Sequence, residues 1–69
     1  MDEKKWSPYS DYANFGSSIP VTGINWTWCT FTDEESAVAF EAKCRESGYE
    51  TRGVYPPQVN YEVWSVRFR

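Results

Sequence analysis

"INWTWCTFTDEESAVAFEAKCRESG", residues 24–48, changes periodicity part-way, and the change decides the fold. Its first nine residues are mostly β-branched or aromatic, and polar Asn25 and Thr27 alternate with Trp26 and Trp28, which is a strand pattern. A side-chain period of two sends Trp26 and Trp28 to one face and Cys29 and Phe31 to the other. Both faces are therefore apolar, whereas a half-solvated sheet alternates apolar with polar. From Thr32 the pattern becomes helical. Thr32 and Glu35 form a Thr-x-x-Glu capping box, and Asp33, Glu34 and Glu35 put negative charge at the positive end of the helix dipole. The alanine-rich segment that follows carries Ala37, Phe40 and Cys44 as a buried stripe, with Glu41 and Arg45 four apart on the outer side. Gly48 supplies a left-handed cap, and Tyr49 follows it as the usual hydrophobic contact.

Downstream, "ETRGVY" reads as a strand. "PPQVN" is a loop, because Pro56 and Pro57 cannot donate to a ladder, and "YEVWSVRFR" is a closing strand. In that strand Trp64, Val66 and Phe68 share one face and Tyr61, Val63 and Arg67 the other. Upstream, "WSPYSDYANFG" opens on the Ser7-Pro8 pair that starts helices and closes on Gly16, so a short helix over residues 8–15 is one reading. An irregular aromatic arm is the other, because Trp6, Tyr9, Tyr12 and Phe15 recur every third residue and would drift around an α-helix. "GSSIPVTG" is a linker in which Ile19 and Val21 are the expected anchors.

The expectation is one α+β domain over residues 1–69, with arm and linker in 1–23 and a β-α-β-β core in 24–69. One principal helix covers one face of a three-stranded sheet. If the strands flanking the helix are parallel neighbours, their crossover is right-handed, and the last two strands pair antiparallel. The second face needs a cover: either the arm, through Trp6, Tyr9, Tyr12 and Phe15, or a partner. The arm is preferred for most of the aromatics, since a 69-residue chain can scarcely leave four tryptophans in water.

Ten acidic and seven basic residues give net charge −3 and a pI near 4.7, so the summed field repels phosphate. The basic residues are scattered along the chain: Lys4, Lys5, Lys43, Arg45, Arg52, Arg67 and Arg69. Direct nucleic-acid contact is therefore not expected, and stacking of bases on Trp26, Trp28 and Tyr61 ranks behind protein binding. The start MDEKKW carries no secretory signal pattern and no apolar run approaches ~20 residues, so a cytoplasmic location is expected. In that compartment Cys29 and Cys44 are expected as buried thiols, with pairing left open. No histidine is present, two cysteines are too few for a tetrahedral zinc site, and capping accounts for the carboxylates of 33–35. No catalytic residue, metal or cofactor is expected.

Residues 31–68, "FTDEESAVAFEAKCRESGYETRGVYPPQVNYEVWSVRF", resemble the first β-α-β-β half of a SPOR-type or ferredoxin-like module. The chain also resembles in type the small phage-encoded inhibitors, anti-CRISPR proteins among them, as a solitary acidic, aromatic-rich domain without cofactor ligands. That likeness implies a non-enzymatic inhibitor in the host bacterial cytoplasm that occludes the basic surface of a nucleic-acid-handling complex, such as a CRISPR effector. Its expected contact residues are Trp6, Tyr9, Asp11, Tyr12, Trp26, Trp28, Asp33, Glu34 and Tyr61. The alternatives are an adaptor or structural interaction module, and a sheet-based module for single-stranded nucleic acid.

Overall fold

The computed structural model describes residues 6–59 and 62–69. Two helices, α1 (Pro8–Asp11) and α2 (Glu34–Glu46), accompany strands β1 (Val21–Thr22), β2 (Thr27–Phe31), β3 (Thr51–Tyr55) and β4 (Trp64–Phe68). The sheet has four strands, not three, in the order β1-β2-β4-β3, with every pair antiparallel. The strands that flank α2 are parallel but not adjacent, because β4 sits between them. Local chemistry explains the seating. Pro56 and Pro57 follow β3, and its register with β4 shifts between Thr51 and Val54, both marks of an edge strand. β4 has neither defect and pairs on both sides. The resulting arrangement is a split β-α-β unit with β1 added at the free edge of β2.

The strand–helix junction differs from expectation by one residue. Asp33, not Thr32, is the N-cap: its backbone is extended, and its carboxylate accepts from the Ser36 backbone N–H at 2.9 Å and from the Ser36 hydroxyl at 3.0 Å. Aspartate is at least as good a cap as threonine, and this frame gives each carboxylate oxygen a donor. At the other end Gly48 has φ +93°, the Tyr49 N–H donates to the Cys44 carbonyl and the Gly48 N–H to that of Arg45. These two bonds make a Schellman motif, and Tyr49 packs against the core as its hydrophobic partner.

The core lies between α2 and one face of the sheet: Cys29 and Phe31 from β2, Ala37, Phe40 and Cys44 from α2, Val66 and Phe68 from β4. Phe40 is its centre. Its ring meets Phe31 at 5.2 Å, Phe15 at 5.4 Å, Trp6 at 5.7 Å and Phe68 at 5.8 Å between centroids.

The arm resolves its two readings by combining them. Ser7 caps the single turn of α1, and the chain then tightens into a 3-10 turn over Tyr12–Phe15 that ends at Gly16. The spacing of three that drifts around an α-helix is the repeat of a 3-10 helix, so Tyr12 and Phe15 align on one side. They pack with Trp6 on the α2 side of the sheet. The described part of the arm therefore thickens the helical layer, and its Trp6, Tyr12 and Phe15 do not cover the second face. Ile19 and Val21 are not anchors either: they are 73% and 48% exposed, because the linker runs as an edge ladder along β2, with Ser18 N–H donating to Thr30 C=O.

Glu41, expected on the outer side of α2, is 8% exposed. Its carboxylate receives a two-pronged contact from Arg45 at 2.8 and 3.0 Å and the Thr51 hydroxyl at 2.6 Å, tying helix to sheet. The Arg45 hydrogen bonds hold its carboxyl below the ordinary value, against an opposing push from burial. A depressed carboxylate stabilises the fold above the unfolded pKa of about 4.3, and that contribution is lost as pH falls through the folded value.

Two outcomes follow for stability. Phe40→Ala should cost about 3–5 kcal/mol in denaturant titration, most of what a chain this size has. Glu41→Gln should cost about 1–2 kcal/mol near pH 7, and the gap to wild type should close when unfolding is repeated in acid.

Candidate functional site

Among the described residues no element covers the second face of the sheet. Its residues follow from the register: Trp28 on β2 stands directly opposite Arg67 on β4, and Thr30 opposite Ser65, which in turn faces Tyr55 on β3. Together with Gln58 they line an open groove of about 280 Å³. Trp28 forms one wall. The indole is backed by Gly23, where a Cβ would come within 2.7 Å of Trp28 Cζ3 and 2.8 Å of the Trp26 carbonyl, so the close approach requires glycine. The hairpin turn that places Gly23 there closes with its N–H donating to the Trp26 carbonyl at 2.7 Å.

The opposite wall is a stacked pair, with the Arg67 guanidinium 4.5 Å from the Tyr55 ring centroid. At the end of the same face, Trp26 lies under Arg69 at 4.3 Å, with Arg52 at 5.5 Å. Such cation–π contacts hold a guanidinium flat while leaving its in-plane N–H groups directed outward. Arg69 also pairs with Glu50 at 2.9 Å, which offsets part of its charge. Three arginines scattered in the sequence thus meet on one face.

The acids lie mostly elsewhere. Asp33, Glu34, Glu35, Glu41 and Glu46 belong to α2 or its cap, on the far side of the sheet. Packed layers are ~10 Å apart and the Debye length at physiological salt is ~8 Å, so the field at the open face is set by its own arginines more than by the net charge.

The residues expected to contact a partner do not form one site. Trp6 and Tyr12 are half-buried against the core, and the Trp6 indole N–H donates to Asp11 at 2.6 Å. That bond is the first cause of a lowered Asp11 carboxyl pKa, and Asn14 adds to it. Tyr9 is 49% exposed and packs its ring edge on Phe68. Asp33 is occupied as a cap and Glu34 is exposed in the first turn of α2. Tyr61 lies outside the described residues. Trp6, Asp11 and Tyr12 gather on the arm, and only Trp26 and Trp28 belong to the second sheet face, where Trp26 already lies under Arg69. Sequence reasoning missed Tyr55, Arg52, Arg67 and Arg69 as a group. The period-two pattern of β4 does place Arg67 on the face away from the core, and that was the usable signal.

Cys29 and Cys44 are free and fully buried. Burial pushes both thiols up, Cys44 to about 12, which leaves neither a nucleophile near neutral pH. Among the described residues no group of three His, Cys, Asp or Glu side chains is placed to hold a metal, and no helix is long and apolar enough to cross a membrane. No family model, curated protein or solved structure matches this chain.

Gly23→Ala should destabilise the fold by about 1–3 kcal/mol and shift the tryptophan emission, since the new methyl meets a backbone carbonyl as well as the Trp28 ring. In the native protein both thiols should resist a disulfide reagent and react at the rate of unfolding.

Proposed function

We propose that this chain is a non-enzymatic binding module for single-stranded nucleic acid, using the open face of its sheet. The observation that carries the reading is the placement of Arg67 and Tyr55 across a groove from Trp28, with Arg52 on the same face. Aromatic platforms with arginines beside them recognise unstacked bases and their phosphates, and stacking is worth ~1–3 kcal/mol per base. One half-buried platform and two or three arginines make a weak site, of micromolar order or weaker, suited to a module that acts within a larger assembly.

A second reading keeps the partner a protein. Glu34 and Glu35 are exposed beside Val38 on the first turns of α2, an acidic surface of the kind that docks on a basic one. This is the inhibitor of a bacterial nucleic-acid-handling complex that the small acidic composition suggests, anti-CRISPR proteins being the type. It leaves the groove without a role, and for that reason stands second.

Titration with a short single-stranded oligonucleotide at low salt separates the two. The first reading expects quenched tryptophan emission and a fall of log K with log salt of slope about −1.4, for two phosphate contacts. Absence of binding at up to 100-fold excess over micromolar protein, together with salt-sensitive capture of a nucleic-acid-binding complex from bacterial lysate, would replace it with the second.

A further inference from the structure

Resting on the single-stranded nucleic-acid reading, we infer that the groove is a one-nucleotide subsite in which a base stacks on Trp28 and the adjoining phosphate is held by Arg67. Trp28 is the one tryptophan whose surroundings suit it to this. Trp6 and Trp64 pack on the core, and Trp26 is covered by Arg69. Gly23 meets the outer edge of the Trp28 ring at Cζ3 and Cη2 and so helps fix its position, while the indole lines the groove.

Arg67 is the direct cross-strand partner of Trp28, and residues so paired have Cβ atoms ~5 Å apart, which puts its guanidinium within reach of the phosphate of a base stacked on that ring. Arg67 is exposed, and its guanidinium already rests 4.5 Å from the Tyr55 ring centroid, a contact that narrows its rotamer freedom before ligand arrives. Tyr55 is a positioning residue for Arg67. The hydroxyls of Thr30 and Ser65 form the floor, and that of Thr30 is engaged with Ser18. The groove, at about 280 Å³, falls just below the ~300–1,000 Å³ of sites that enclose drug-sized ligands, which matches one nucleotide unit and not an extended cofactor.

The experiment compares, on the wild-type chain, a fluorescently labelled single-stranded oligonucleotide with its abasic counterpart of equal length and charge. The base subsite predicts roughly tenfold or greater loss of affinity for the abasic strand. Equal affinity for both overturns it while leaving phosphate-driven binding intact, and no affinity for either overturns the parent reading. Variants assign the roles. Trp28→Phe should bind with much of the quenching gone, Arg67→Lys should weaken binding about five- to tenfold, and Tyr55→Leu, which removes the ring beneath Arg67, should weaken binding severalfold on its own but add little to the loss already caused by Arg67→Lys. Oligonucleotide binding unchanged in both Trp28→Phe emission and Arg67→Lys affinity, with both variants folded by circular dichroism, moves the contact to another surface.

Discussion

The ring of Phe40 is the contact on which everything else rests. It is fully buried and lies within 6 Å of four other aromatic rings, drawn from the arm, from β2 and from β4. A chain of this length buries only about 60% of its surface on folding, so it cannot build a second core. The arm, the sheet and the helix have to share one, and Phe40 is where they do. Glu41, the next residue, fastens the same helix to β3 through Thr51, so adjacent positions supply an apolar and a polar attachment.

Sharing one core has a cost on the other side of the sheet. Once Trp6, Tyr12 and Phe15 are committed to the helical layer, nothing in the described chain is left to cover Trp28 and its neighbours. The molecule stabilises that face by different means. Arginines lie over the rings of Tyr55 and Trp26, so aromatic area is shielded by groups that themselves remain hydrated. The same stacking that makes the face tolerable in water is the feature on which the proposed recognition of a base and its phosphate rests.

How much of this was legible in the sequence varies with the range of the interaction. Helix α2, its buried stripe at Ala37, Phe40 and Cys44, and the Gly48–Tyr49 ending were readable because periodicity and capping are local. The cap slipped by one residue because Thr32 and Asp33 are both competent, and only the extended backbone at Asp33 decides between them. Strand β1 was hidden in "GSSIPVTG", since an edge ladder of two residues owes its existence to β2 and to no propensity of its own. The insertion of β4, the side on which the arm settles and the convergence of Arg52, Arg67 and Arg69 are products of strand order. Charge counted along a chain cannot report charge gathered on a face.

The two borders of the sheet have a consequence for how copies of this protein behave in a crowded solution. One border is β1, two residues long, and the other is β3, with an irregular register and two prolines beyond it. Neither offers the long, straight row of free amides on which another chain could zip up. Among the described residues the molecule thus pairs an uncovered aromatic and arginine face with edges poorly suited to polymerising through the backbone, and high concentration should yield reversible encounters in place of fibres.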